Sequence, residues 1–231
     1  MPRQRLSSGL ARLQDEILAL GQDVARAIRA SVEALGSQDF GTARCLIQGD
    51  QRINERRFAI EAECLTLIAT QQPMAGDLRT LAAVLELATE LERTGDYAKG
   101  IARIVLLIGD RPLIKPLVDL PRMAEMASRM LLASLDAFVK RDVEAARAIP
   151  RQDDEVDALY NRVYRDLLAL IIEDPRRIDQ ATHLLWAAHN LERAADRVSN
   201  ICERTIFMVI GEMHELDSEF EAPRNGSQER T

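Results

Sequence analysis

Histidine, cysteine and aromatic side chains are scarce in this chain, and each scarcity removes a class of function. The three histidines, His183, His189 and His214, lack the H-E-x-x-H spacing of zinc hydrolases, and the E-x-x-H of di-iron bundles is missing throughout. Cys45, Cys64 and Cys202 lie far apart and form no C-x-x-C pair, which fits a reducing compartment and small core residues better than a disulfide framework. Aromatics make up only 4% of the residues and strand-like alternation is absent, so a β-rich fold is excluded. The longest apolar runs, such as Leu167 to Ile172, are far too short to span a bilayer. The basic, polar stretch from Met1 to Leu13 has no apolar centre of the kind a signal peptide needs. A formal net charge of −7 argues against a nucleic-acid partner, whose phosphates demand a basic surface. Glycine-rich phosphate loops and the G-x-S-x-G elbow are also missing, so nucleotide and acyl-transfer chemistry lack support. These absences lead to the expectation of a soluble, cytoplasmic protein with no membrane insertion, suited to cations or basic protein surfaces.

What is abundant is helical periodicity. Leu78, Leu81, Leu85 and Ala88, beside Leu87, Leu91, Ala98, Ile101, Val105 and Ile108, recur at the 3.6-residue spacing of a helix with one apolar face. Breaks fall at Gly36 to Gly41, at Gln71-Gln72-Pro73, at the proline-rich stretch from Gly109 to Arg122, near Arg141-Asp142 and at Asp174-Pro175. They predict an all-α chain of six helices at about 4–35, 39–71, 75–109, 118–140, 142–173 and 178–213. Met123, Met126 and Met130 form a stripe at helical spacing that reads as core packing.

The chain repeats itself. A shift of 103 positions lays Ser31-Val-Glu-Ala-Leu35 on Ser134-Leu-Asp-Ala-Phe138, Asp39 on Asp142, Ala43-Arg44 on Ala146-Arg147 and Asp50 on Asp153. Ile53, Ile60, Leu65 and Ile68 then fall on Val156, Val163, Leu168 and Ile171, which predicts a shared core face along the second helix of each half. In the third helices the shift is 100, placing Leu91-Glu-Arg93 on Leu191-Glu-Arg193 and Asp96 on Asp196. The expected organisation is two tandem three-helix bundles: residues 1–110, a proline-rich link at 111–121, a second bundle at 122–213, and a polar, disordered tail at 214–231.

Carboxylates four residues apart leave one helix face together. Six such pairs occur, about the six that 37 acids would produce by chance, so spacing alone proves nothing. Position is more telling: Glu92/Asp96, Asp153/Asp157 and Glu192/Asp196 fall at repeat-equivalent places, on the shoulder of an apolar stripe. In an up-down-up bundle Asp153/Asp157 would face Glu192/Asp196, and Asp50/Asn54 would face Glu92/Asp96. Like charges at this spacing repel and partial burial raises the cost, so something must compensate. Two arrangements meet that need: ion pairs with Arg93, Arg193, Arg56 or Arg57, or a bound hard cation held by oxygen ligands.

Gln71-Gln-Pro-Met-Ala-Gly-Asp-Leu-Arg79, Leu91-Glu-Arg-Thr-Gly-Asp96 and Asn190-Leu-Glu-Arg-Ala-Ala-Asp196, within tandem three-helix units, resemble the PhoU family over about residues 5–213. The resemblance implies a cytoplasmic accessory of the phosphate ABC transporter and a negative regulator of the phosphate-starvation response. It would link the transporter's ATPase subunit to a sensor histidine kinase, commonly as a homodimer. It further implies clusters of divalent or ferric ions (iron, magnesium, manganese or zinc) on Asp153, Asp157, Glu192, Asp196, Glu92, Asp96 and Asp50, with no catalysis. Two departures weaken the first half: Asn54 stands where Asp157 does, and Gly100 where Asn200 does, so the second half is expected to be the better site. A carboxylate-bridged metalloenzyme and a purely structural helical protein are the competing functions.

Overall fold

A computed structural model describes residues 2–212 and Leu216. It contains helices α1 (Pro2–Ser37), α2 (Phe40–Gln71), α3 (Gly76–Ile108), α4 (Asp119–Lys140), α5 (Val143–Ala148), α6 (Asp153–Glu173) and α7 (Ile178–Ile210), with no strand among the described residues. The all-α, twice-repeated architecture is therefore as expected, with one correction. The fifth expected helix, 142–173, is two rods separated by a 3-10 turn at Ile149–Gln152. Pro150 is the cause: it has no N–H to donate and its ring collides with the preceding turn. Its equivalent in the first half is Ile47, and α2 runs on unbroken. The last helix also stops earlier than expected, at Ile210, because Gly211 takes up a left-handed conformation (φ 90) and its N–H returns to the Phe207 carbonyl at 2.8 Å.

The junctions show the repeat at the level of single hydrogen bonds. Gln38 and Arg141, 103 positions apart, both adopt positive φ (54 and 55). Each is followed by an aspartate that caps the next helix: Asp39 accepts from the Thr42 N–H and Asp142 from the Ala145 N–H, both at 3.0 Å. Buried Ser31 and Ser134 each turn their hydroxyl back onto a carbonyl of their own helix, at 2.8 Å. Between α2 and α3, Gln72 is held out of the helical region by the proline after it (φ 46), which ends α2. Further along the same motif, Arg79 Nε donates to the Met208 carbonyl at 3.3 Å, capping the end of α7 in the other half.

Helices α1, α3, α7 and α4 form a closed ring of neighbours; α2 lies over the α1–α3 edge, and α6 over the α4–α7 edge. Gly100 packs on Asn190 and Glu90 on Asn200, so α3 and α7 run antiparallel. Ser128 Oγ reaches the carbonyl of its own repeat equivalent, Ala25, at 3.3 Å, which places a pseudo-twofold axis between α1 and α4. One apolar core runs through both halves, from Leu13 and Leu20 to Val198 and Ile206. Met123 and Met130 are buried in it, with Met126 packed at its margin. The proline-rich link is tied down by Gln38, whose amide donates to the Gly109 and Arg111 carbonyls at 2.8 Å, and by Gln180, which bonds Pro112 and Ile114.

Three expectations about burial change. Leu65 and Leu168 are exposed, because α2 and α6 each press a single narrow face onto the ring and these positions fall just off it. Cys45 is exposed as well, whereas Cys64 and Cys202 are buried, with thiols pushed up to about 12 by burial. The expected disordered tail lies outside the described residues except for Leu216, which is buried and donates its N–H to Glu203 at 2.8 Å.

Among the glycines of the described residues, Gly21 leaves the least room: an added Cβ would stand 2.0 Å from Leu135 Cδ1. Leu135 is itself buried in the core, so any shift it makes must be taken up by its packed neighbours. Gly21→Val is expected to cost about 1–3 kcal/mol, or roughly 2–4 °C in Tm per kcal/mol, measured by thermal unfolding.

Candidate metal centre

Pro150 also decides where the second-half acids stand. By breaking the helix it makes Asp153 the first residue of α6, so Asp153 and Asp157 face α7 from that helix's opening turns. There they meet Glu192 and Asp196 on the shoulder of the buried Leu191–Ala195 stripe. Asp153 is pushed up to about 8 by burial first, then by the charges of Asp196 and Asp157, by a hydrogen bond with Asp196 and by Glu192. All of these influences point the same way. Asp157 is raised by burial and by Asp196 and Asp154. Glu192 is raised by burial and Asp196, with His189 and Arg193 pulling the other way.

Two oxygens of this group, Asp153 Oδ1 and Glu192 Oε2, are sealed from solvent without a hydrogen-bond partner. His189 Nδ1 lies 3.1 Å from Glu192 Oε2, in an orientation that makes no hydrogen bond. The same imidazole packs 6.2 Å from the ring of Tyr160. Among the described residues no three His, Cys, Asp or Glu side chains have their donor atoms already gathered around one point. The donor set nonetheless fits a hard cation: four carboxylates meet here, two of their oxygens are buried without a partner, and Asp153, Asp157 and Glu192 are all shifted upward.

The first-half acids are arranged differently. Asp50 is buried, and its Oδ2 accepts from Lys99 Nζ at 2.5 Å and from Asn54 Nδ2 at 3.2 Å. Lys99 reaches Asp96 Oδ1 as well, at 3.2 Å. Asn54 thus supplies N–H donors to the carboxylate. Glu92 is raised by burial and by Asp96, partly offset by Arg57. Asp50 Oδ1 is buried without a hydrogen-bond partner; the ammonium that already joins the two helices through Asp50 Oδ2 and Asp96 Oδ1 disfavours a metal ion shared between them.

The arginines suggested as partners are engaged elsewhere. Arg93 pairs with Glu90 at 3.1 Å, Arg56 with Glu16 and Asp23 at 2.9 and 2.5 Å, and Arg57 with Glu61 at 2.8 Å. Arg193 donates to the Tyr97 hydroxyl at 3.5 Å. Glu90, itself buried, also accepts from Asn200 at 3.0 Å and Arg197 at 3.5 Å, forming a polar clasp between the halves.

The repeat carrying this paired arrangement matches the sequence model of the PhoU domain twice, over residues 17–105 and 120–205. The chain belongs to the PhoU family. It is 34% identical over 218 residues to the phosphate-specific transport system accessory protein PhoU homolog of Clostridium acetobutylicum, covering 94% of this chain and all of that one. The homolog from Aquifex aeolicus is 34% identical over 209 residues, covering 90% of this chain and 95% of its own. Crystal structures of PhoU from Streptococcus pneumoniae and Pseudomonas aeruginosa superpose with TM-scores of 0.83 and 0.84 at 31% and 30% identity. They cover 90% and 89% of this chain and 99% of each of those.

Within this PhoU-family fold the acids singled out in the sequence fall into the two expected groups, Asp153/Asp157/Glu192/Asp196 and Asp50/Glu92/Asp96. Sequence reasoning missed Lys99, and it weighed His189 only against zinc-ligand spacings, not as a neighbour of Glu192. Lys99 was detectable as the partner of Ser199 at the 100-residue shift, three positions after Asp96. His189 sits three before Glu192 on the same face.

A pH dependence follows. A carboxyl whose folded pKa lies above its unfolded value favours the fold while protonated, and that contribution is lost as pH rises through the interval between the two. For Asp153 the interval runs from 3.8 to about 8. In excess chelator, thermal unfolding should show Tm falling across this range, and Asp153→Asn should flatten the slope and raise Tm at pH 8. Parallel curves for the two proteins would contradict the assignment.

Proposed function

We propose that this PhoU-family protein is a cytoplasmic, metal-binding regulator of phosphate uptake, and that it represses the phosphate-starvation response when phosphate is plentiful. In this reading it connects the ATPase subunit of the phosphate ABC transporter to a sensor histidine kinase, as a homodimer and without catalysing a reaction. The observation that carries the metal part is the second-half group of four acids with two orphaned, buried oxygens. The regulatory part is supported by relatives at 34% identity that are named accessory proteins of phosphate-specific transport and are covered over almost their whole length. No described helix is long and apolar enough to cross a membrane, in keeping with a protein that acts on membrane partners from one side.

An ion at the second-half site would supply positive charge between α6 and α7. Asp153 and Asp157 would bind it from α6, Glu192 and Asp196 from α7, all through oxygen, which suits magnesium, manganese or iron, with zinc as a further occupant. Tyr164, Leu168 and Ile172 line the exposed side of α6 at helical spacing, with Trp186 exposed on α7, offering apolar surface for protein partners.

Co-purification from cells grown at high and low phosphate tests the regulatory role. The transporter ATPase and the kinase should both be recovered at high phosphate; recovery of neither would overturn the adaptor reading. Elemental analysis of gently purified protein tests the metal part, with metal lost on Glu192→Ala. Turnover of phosphate esters that disappears with Asp153→Ala or Glu192→Ala would instead favour a metalloenzyme.

A further inference from the structure

We infer that Lys99 is a built-in cation that takes the place of a metal ion in the first half, leaving the second-half acids as the metal-responsive centre of the two repeats. The inference rests on the metal reading of the second half but has its own geometry. Lys99 Nζ bridges Asp50 Oδ2 on α2 and Asp96 Oδ1 on α3, at 2.5 and 3.2 Å. The ammonium thus takes one carboxylate oxygen from each helix, the pair that a shared cation would draw on, and leaves Asp50 Oδ1 buried without a partner. The Asp50 side chain is 6% exposed, so its charge cannot be left to solvent, and the Asn54 amide adds a second donor to the same oxygen.

The repeat shows what has changed. Lys99 corresponds to Ser199, Asn54 to Asp157 and Arg57 to Tyr160. At each of the three positions the first half gains positive charge or loses negative charge relative to the second. Three acids and one lysine leave a formal −2 on Asp50, Glu92, Asp96 and Lys99, against −4 on Asp153, Asp157, Glu192 and Asp196. An incoming divalent ion would have to displace an ammonium that already has two carboxylate partners, and would find one carboxylate fewer.

The consequence is directional. The α2–α3 seam is joined without metal, whereas the α6–α7 seam depends on it. Loss of metal should loosen α6 and leave α2 in place.

The test uses the intact chain with Mn²⁺ as probe, read by titration calorimetry, and hydrogen exchange with and without chelator. The unaltered protein and Glu92→Gln should bind the same number of ions, and Glu192→Gln should bind fewer. Asn54→Asp combined with Lys99→Ser should gain at least one ion per chain. Lys99→Met, which keeps the stem and removes the charge, should lower the metal-free Tm by roughly 5–10 °C. Chelation should speed amide exchange in α6 and leave α2 unchanged. Fewer ions bound by Glu92→Gln than by the unaltered protein, or faster exchange in α2 on chelation, would overturn the inference. So would a folded Asn54→Asp/Lys99→Ser protein that gains no ion. If the unaltered chain binds no Mn²⁺ but that double variant does, the second-half reading fails while the role of Lys99 stands.

Discussion

The antiparallel pairing of α3 with α7 is the contact on which the rest of the molecule depends. Each helix belongs to a different half, and each is buried along most of its length, from Leu81 to Ile108 and from Ala181 to Met208. A helix apolar over so much of its circumference must be covered on several sides. α1 and α4 close the ring and the outer helices α2 and α6 cover its edges. Glu90 stands inside the pairing with Arg93, Arg197 and Asn200 around it, so the two halves are joined by a polar clasp as well as by apolar packing. Such a clasp fixes one register, because a slip would bury a carboxylate without partners.

That packing creates the electrostatic problem at both seams. Leu91 and Leu191 must point inward, so the next residue, Glu92 or Glu192, is carried to the edge of the core where an outer helix half-covers it. Asp96 and Asp196 follow one turn later on the same face. Carboxylates brought together at such an edge repel and lose hydration, and the fold needs positive charge there. One half meets most of this need from within, through Lys99, with Asp50 Oδ1 left unpartnered; the other has four acids, two orphaned oxygens and no lysine among them, and is the half for which a bound ion is proposed. Two copies of one backbone plan thus carry different electrostatics, the difference resting on a few side chains.

The helix breaks at Gly36 to Gly41, at Gln71-Gln72-Pro73 and near Arg141-Asp142 were legible in the sequence because they depend on near neighbours. Asp39 and Asp142 cap helices through hydrogen bonds three residues away, and Pro73 ends α2 by restricting Gln72. Pro150 is also a local signal, but the unbroken α2 at the equivalent place in the repeat masked it. Leu65 and Leu168 read as core from their period alone; whether an outer helix buries a narrow or a wide stripe depends on how many helices it touches.

The amino-acid order by itself determined the helices, their breaks, the repeat and the facing sets of acids, because each is written in spacings of a few residues or in self-similarity. Which charge answers which was decided only by the tertiary structure. Lys99 reaches Asp50 across 49 positions of sequence, Glu90 is claimed by residues of the other half, and the arginines nearest the acids turn to Glu16, Asp23 and Glu61. Long, flexible charged side chains have several acids within reach, and the choice among them is made by burial and by the approach of distant helices, which no local pattern contains.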